Sequence, residues 1–256
     1  MAENNIEIRN RRSNTPVRAT GRKIPQDYEN PIDNLMLSGA DILAPQLKKM
    51  NYTANGITTL SLICGAAAMY HLYNHDILPF TIYMLLAHFF DDMDGSYARK
   101  YGMVTDNGDK YDHYKDLLLV VASIYILYSK YNILDFPVMI LVICCIGVLG
   151  IMFVGCQESL TTSNHRSETL GFANYVTPKK ENCKSYIKYL RYFGPGTIIV
   201  AFIMVAWYLD NQMNITSNIN PDIVDISRPF RDFGQSTSNI HALSLTQPLS
   251  GYSFFR

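Results

Sequence analysis

Four aspartates near the middle of the chain have the spacing of a metal-binding site. Asp91 and Asp94 are three positions apart and Asp112 and Asp116 are four apart, so each pair shares one face of a helix. Two antiparallel helices would bring the four carboxylates together with no cationic partner between them, and they would repel strongly unless a cation lay among them. Because all-oxygen ligands favour hard ions, we expect Mg²⁺ or Mn²⁺ here, as a pair of ions.

The residues beside these acids extend the chemistry towards phosphate groups. Gly95 and Ala98 leave one stripe of the helix almost bare, so that a flat group could lie against it. Arg99 adds a planar, forked cation one turn beyond the acids, and this shape suits phosphate.

Uncharged apolar runs exclude a purely soluble protein. The chain has 256 residues with 22 Lys+Arg and 22 Asp+Glu, a balance that gives no argument for a nucleic-acid partner. Residues 137–155 and 193–209 contain no charge, and their lengths approach the roughly 20 residues that cross a bilayer. With three further apolar segments, the predicted spans are residues 53–73, 77–90, 117–128, 133–156 and 192–208.

The site combines metal ligands, a cation for phosphate and a bare surface for a flat group, all at a membrane surface. Together these features indicate a nucleotide-activated lipid precursor as the substrate.

We therefore predict an all-α integral membrane protein, a bundle of five or six transmembrane helices. Residues 31–50 mix apolar and polar residues and end in two lysines, which favours an N-terminal amphipathic helix at the membrane interface over an ordinary polar linker. Residues 1–30 lack the apolar core of a signal sequence and predict a flexible cytosolic arm. Residues 31–210 are then the membrane domain, and residues 211–256 a polar C-terminal tail.

Basic residues predict the orientation in the membrane. Of the 22 lysines and arginines, 18 fall before the first span, between spans two and three, or between spans four and five. These segments share one side, so the N-terminus and the aspartates are predicted to face the cytosol, in an endoplasmic-reticulum-type or a bacterial inner membrane. An acid below the membrane surface is costly and usually faces a cavity, which indicates a functional role for Asp91.

Several other residues are predicted to serve packing alone. Gly65 and the three alanines after it give the first span a small face that another helix could approach closely. His88 shares a face with Asp91 and is predicted to be a satisfied packing residue. The five cysteines lie mainly in apolar runs and have no metal-ligand spacing. All are predicted to pack as small apolar residues without forming disulfides; they are Cys64, Cys144, Cys145, Cys156 and Cys183.

The segment from Asp91 to Asp116 carries a specific motif, reading DDMDGSYARKYGMVTDNGDKYDHYKD. It fits D-x2-D-G-x2-A-R-x8-G-x3-D-x3-D without mismatch, so the chain resembles the class I CDP-alcohol phosphatidyltransferase family. Weaker similarity covers residues 31–210, where Thr53-Ala54-Asn55 with Thr58 is similar to the Thr-Pro-Asn-x-x-Thr that opens the family's first span. Ala54 departs from that pattern, and five spans depart from the family's six.

The resemblance implies a helical bundle, usually a homodimer, with a two-metal site that opens to the cytosol. Carried over to this chain, Asp91, Asp94 and Asp112 are metal ligands, while Asp116 is both a ligand and the general base. The residues that would line the site for the CDP portion are Gly95, Ala98, Arg99 and Gly108, and Asn55 is a further substrate-binding residue. In this reaction of phospholipid biosynthesis, the acceptor hydroxyl attacks the β-phosphoryl group of a CDP-alcohol and CMP is released.

The sequence leaves alternatives open. Asp112-His113 is similar to the choline/ethanolamine phosphotransferase branch, which slightly favours CDP-choline or CDP-ethanolamine as donor and a lipid alcohol as acceptor. The alternative is a CDP-diacylglycerol-dependent enzyme that uses a small polar acceptor: inositol, serine or glycerol 3-phosphate. A divalent-cation transporter could also use membrane carboxylates, but Arg99 beside them would repel a transiting cation.

Overall fold

The computed structural model describes residues 21–161 and 176–219, in which every regular element is helical. No strand occurs in these ranges, so the predicted all-α class is confirmed. The helices are α1 (Pro31–Lys49), α2 (Ala54–Tyr73), α3 (Ile77–Tyr101), α4 (Asp106–Tyr131), α5 (Pro137–Leu160), α6 (Lys180–Leu190) and α7 (Pro195–Ile219). Single 3₁₀ turns lie at Gln26–Tyr28, Ile133–Asp135 and Arg191–Phe193.

Some of the predicted segments lie outside the described residues. They are residues 1–20 of the arm, residues 162–175 between α5 and α6, and the tail from residue 220 onward. The chain divides into two units after residue 210, and helix α7 continues past that boundary. The proposed division into arm, membrane domain and tail stays a prediction.

Helices α3 and α4 form a tight hairpin that carries all four motif aspartates. Helix α3 is capped after Tyr101 by Gly102, whose φ of +66° lies in the left-handed region that favours glycine. Three residues later Thr105 caps α4, and its side-chain oxygen accepts a hydrogen bond from the backbone N–H of Gly108 at 3.1 Å. Because the connection is so short, the two acidic helix ends must lie side by side.

Helix α2 packs against both arms of this hairpin. The hydroxyl of Ser61 donates to the carbonyl of Ala87 on α3 at 2.9 Å. A Cβ placed on Gly65 would lie 2.6 Å from the Leu119 side chain of α4, so the missing side chain lets α4 approach. The predicted small face of this helix is confirmed at Gly65, and Ala68 is fully buried as well.

Asn30 joins the start of α1 to the start of α7. Its side-chain oxygen accepts a hydrogen bond from the backbone N–H of Ile32 at 2.9 Å and so caps α1. Its amide nitrogen donates to the carbonyl of Arg191 and to the hydroxyl of Thr197, both at 2.7 Å. Asn30 is fully buried, so these bonds replace the water that its amide would otherwise bind.

Asp33 makes a second junction, between α1, α3 and α7. Its Oδ1 atom accepts a hydrogen bond from the backbone N–H of Gly196 at 2.7 Å and lies 3.1 Å from Nε2 of His88. His88 is buried and lies 3.6 Å from a carboxylate oxygen of Asp92. The ring of His88 is therefore buried with carboxylate partners, as predicted, and its assignment to packing alone stays a prediction.

Residues 21–30, the end of the predicted arm, lie against the helices. Ile24 packs in a buried apolar cluster with Phe153 of α5 and Ile187 of α6. Arg22 forms a buried ion pair with Glu29. Burial raises the pKa of Glu29 to about 7, against the opposing effect of Arg22. These contacts attach this part of the arm to the bundle.

Cys156 and Cys183 are joined by a disulfide, so the prediction that all five cysteines only pack is wrong for this pair. The bond links the end of α5 to α6, and the two Cα atoms are 5.2 Å apart, a normal separation for bonded cysteines. The residues between the two cysteines carry no pattern that places α6 beside α5, so the sequence could not reveal the pairing. Cys64, Cys144 and Cys145 are free.

Two stretches of the described chain, Pro137–Leu160 and Glu181–Ile215, are long and apolar enough to cross a membrane by length and composition. The other three predicted spans lie within α2, α3 and α4, but these helices do not meet the same criteria of length and hydropathy. Helix α4 exposes a series of large apolar side chains, which a soluble monomer rarely does; they are Leu117, Leu118, Val120, Val121, Ile124, Tyr125 and Tyr128. The number of spans and the interfacial position of α1 stay predictions.

Replacing Asn30 by alanine should destabilise the protein by about 1–3 kcal/mol, because it removes a helix cap and leaves the Arg191 carbonyl without its side-chain donor. Urea unfolding of the detergent-solubilised variant measures this loss. The control is Asn74→Ala, since Asn74 donates one exposed hydrogen bond, to the carbonyl of Tyr70, and its effect should be clearly smaller. A wild-type unfolding curve for Asn30→Ala would contradict this role.

Candidate active site

The motif aspartates meet between α3 and α4, in the half of the hairpin nearer its connection. Carboxylate oxygens of Asp91, Asp112 and Asp116 all lie within 4.8 Å of one another. Asp94 is buried beside them, and its Oδ2 atom has no hydrogen-bond partner in the described part of the chain. The structure therefore brings the two pairs together as their shared helix faces predict.

A lysine lies in the middle of this cluster, so the expectation that no cationic partner separates the aspartates is wrong. The side chain of Lys115 is fully buried, and its ammonium contacts Asp91 and lies 2.8 Å from Asp112 and 3.2 Å from Asp116. It also donates to the hydroxyl of Ser61 at 3.3 Å. The sequence does carry a signal for this, because a residue three positions after Asp112 shares its helix face.

A cavity of about 410 Å³ opens beside the aspartates. This volume is within the range of roughly 300–1,000 Å³ that is usual for small-molecule sites. The predicted site residues that line it are Asn55, Asp94, Gly95, Ala98, Arg99, Gly108, Asp112 and Asp116. Asp91 is not in the cavity wall and joins the cluster through Lys115.

Arg99 lies across the bare stripe of α3 and is held by the N-terminal segment. Its Nε atom donates to the carbonyl oxygen of Gly21 at 2.7 Å. Its Nη1 atom would lie 3.1 Å from a Cβ at Gly95, so the guanidinium uses the space that this glycine leaves open. Gly21 itself has a φ of +72°, and a Cβ there would overlap the carbonyl oxygen of Ser96, so a glycine is required.

Asn55 of α2 lies against Gly108 of α4, and both residues line the cavity. A Cβ at Gly108 would lie 2.9 Å from Oδ1 of Asn55 and 3.0 Å from Oγ1 of Thr105, the residue that caps α4. The glycine therefore lets Asn55 approach the first turn of α4 without disturbing the cap.

The cavity wall also contains residues that are not fixed positions of the motif, among them Lys23 and His113. Lys23 forms an ion pair with Glu158 near the end of α5, and no spacing rule relates it to the motif. His113 follows Asp112 directly, and its Nδ1 atom lies 2.7 Å from the carbonyl oxygen of Asp109 one turn earlier. Lys23 adds a positive charge to a cavity wall that already contains Arg99.

The sequence that forms this site matches a known family. The CDP-alcohol phosphatidyltransferase family matches residues 51–217, which is more than half of the chain and includes the whole motif. The chain belongs to this family. The membership predicted from the motif is therefore confirmed.

One curated relative gives this CDP-alcohol phosphatidyltransferase family member a more specific comparison. The CDP-diacylglycerol–serine O-phosphatidyltransferase of Bacillus subtilis (strain 168) is 36% identical over 69 residues. The match covers 27% of this chain and 39% of the relative, less than two thirds of that protein's length. No solved structure matches the chain.

Replacing Gly108 by alanine should destabilise this family member by about 1 kcal/mol or more, because the new Cβ would push against Asn55 and the Thr105 cap. The matched control is Gly147→Ala in α5, where a Cβ meets nothing within 4 Å. Alanine at that helix interior should stabilise by about 0.5–1 kcal/mol. Thermal unfolding of both purified variants should therefore shift in opposite directions, and equal stabilisation would show that the neighbours of Gly108 move aside freely.

Proposed function

We propose that this protein is a membrane enzyme that transfers the phosphatidyl group of CDP-diacylglycerol to a small polar alcohol, with serine as the first candidate acceptor, and releases CMP. The observation that carries the proposal is that seven of the eight fixed positions of the motif line one cavity, while the eighth, Asp91, joins it through Lys115. Family membership and the name of the B. subtilis relative support the same reaction class.

The relative reverses the preference between the two donors that the sequence left open. Asp112-His113 slightly favoured a choline/ethanolamine phosphotransferase, whereas the relative is named for CDP-diacylglycerol and serine. In the structure, His113 is accounted for by its contact with the carbonyl of Asp109 in the same helix. That local role weakens the argument from His113, so we favour the CDP-diacylglycerol alternative.

The acidic cluster fits the Mg²⁺ or Mn²⁺ that we assign as cofactor. Its donors are all carboxylate oxygens, three of them within 4.8 Å of one another. Asp94 contributes a buried oxygen that has no hydrogen-bond partner in the described ranges. Asp91, Asp94, Asp112 and Asp116 would hold the metal, which, when bound, offsets negative charge on the diphosphate.

Asp116 is the residue to which we assign the acceptor proton. Its side chain is half exposed, against 30% for Asp91 and Asp112, and it lines the cavity. The acceptor hydroxyl gives its proton to the Asp116 carboxylate while its oxygen bonds to the β-phosphorus. The bond between that phosphorus and the oxygen that bridges to CMP breaks, and CMP leaves with the electron pair.

The CDP portion is assigned to the part of the cavity beyond the acids. The guanidinium of Arg99, fixed by Gly21, would donate to phosphate oxygens as a planar fork. Gly95 and Ala98 supply the flat surface of α3, and Asn55 and Gly108 close the opposite side.

We place this reaction at a membrane, with the cavity on the cytosolic side as the basic residues predict. The exposed apolar side chains of α4 support contact with membrane lipids. A homodimer is expected from the family resemblance, with the CDP-alcohol and the acceptor as substrates.

A divalent-cation transporter is a weaker proposal. The ammonium of Lys115 lies between three of the aspartates and the guanidinium of Arg99 lines the cavity beside them. Two fixed positive charges beside the acids suit a site that holds a cation together with an anionic substrate better than a path for free cations.

The proposal predicts CMP release when CDP-diacylglycerol and serine are added to membranes that contain the protein. The test panel also contains inositol and glycerol 3-phosphate as acceptors, and CDP-choline or CDP-ethanolamine with diacylglycerol. Chelation should abolish the activity, and Mg²⁺ or Mn²⁺ should restore it. CMP release from CDP-choline with diacylglycerol alone would overturn the choice of donor, and full activity after exhaustive chelation would remove the metal.

Asp116→Asn should lower turnover roughly 10²–10⁴-fold, the usual contribution of a positioned general base, because an amide cannot accept the proton. Binding of the CDP-alcohol, measured by calorimetry with Mg²⁺, should persist. The control is Asp135→Asn, an exposed acid in the turn at the other end of α4, which should turn over normally. Retained turnover in Asp116→Asn would exclude it as the base, and lost binding would make it chiefly a ligand.

A further inference from the structure

The ammonium of Lys115 lies at the point where the acidic cluster is best suited to a metal ion. It contacts Asp91, and lies 2.8 Å from Asp112 and 3.2 Å from Asp116, with the side chain fully buried. The carboxylates of these same three residues form the group whose oxygens are close enough to share one metal ion. One position in the site therefore attracts two different cations.

Lysine and a divalent ion exclude each other at that position. Mg²⁺ requires its ligand oxygens at about 2.0–2.1 Å, and an ammonium placed among the same three carboxylates fills the space that such an ion would need. Moving the ammonium away would break its contacts with all three carboxylates and with the hydroxyl of Ser61. A buried charge that loses its partners is strongly unfavourable, so Lys115 is not easily displaced.

Charge balance in the site without substrate is compatible with one ion beside Lys115. The four ionised aspartates carry four negative charges, so one divalent ion together with Lys115 leaves one negative charge. Asp94 is available for that ion, because it is not an ion-pair partner of Lys115 within the described ranges and its buried Oδ2 atom has no hydrogen-bond partner there.

We propose that Lys115 takes the place of one of the two metal ions, so that this protein binds a single divalent cation per chain. The inference rests on the proposed function only in taking the four aspartates as metal ligands. The positive charge that a second ion would bring is carried permanently by a side chain of α4.

The test is a count of bound Mn²⁺ in the purified full-length chain in detergent micelles, with free Mn²⁺ followed by electron paramagnetic resonance. Wild type should bind one ion, and Lys115→Met, which removes the charge but keeps the unbranched side chain, should bind two. The matched control is Lys130→Met at the other end of the same helix, where the lysine lies over the ring of Tyr73; it should bind one.

Two ions in the wild type, no ion in the wild type, or one ion in a folded Lys115→Met variant would each overturn the proposal. If Lys115→Met does not fold, the wild-type count decides, with one ion supporting the proposal and two ions overturning it. The count requires no turnover, so it is independent of the function. Two bound ions with normal CMP release would remove only the role of Lys115, whereas one bound ion without CMP release from any CDP-alcohol would remove only the function.

Discussion

Repulsion between closely spaced carboxylates is the constraint on which this structure depends. Helices α3 and α4 are joined by only four residues, so Asp91, Asp94, Asp112 and Asp116 cannot move apart while the hairpin is folded. Such a group of charges is tolerated only with positive charge among it. Lys115 supplies part of that charge from within the hairpin itself, and Ser61 ties its ammonium to α2. The packing of these three helices and the charge balance of the site therefore depend on the same side chain.

Residues far from the motif complete the site. The backbone carbonyl of Gly21 fixes Arg99, so the residue assigned to phosphate is oriented by the end of the N-terminal arm. Two contacts hold that arm in turn. Ile24 packs in the apolar cluster with α5 and α6, and Asn30 bonds to Thr197 at the start of α7. Loss of any of these contacts would therefore alter the position of Arg99 in the cavity and leave the aspartates unchanged.

Local rules of helix geometry were enough to predict the acids, and they failed where distant segments meet. The spacings of Asp91 with Asp94 and of Asp112 with Asp116 depend only on the helix repeat, so their convergence followed from a short antiparallel connection. The same repeat places Lys115 on the face of Asp112. A lysine just before a predicted span is ordinarily solvated, however, and the burial of Lys115 depends on how α2 packs. The Cys156–Cys183 bond depends on tertiary packing between segments that share no sequence period.

The disulfide turns residues 156–183 into a covalent ring. A peptide bond cut anywhere inside that ring would leave a single molecule, with α5 and α6 still connected, until the sulfurs were reduced. The segment between the cysteines can therefore change in length while the disulfide still attaches α6 to α5. On the cytosolic side, where we place the cavity, thiols are kept reduced and the ring would open. The apolar cluster of Ile24, Phe153 and Ile187 is then the contact that holds α6 against α5.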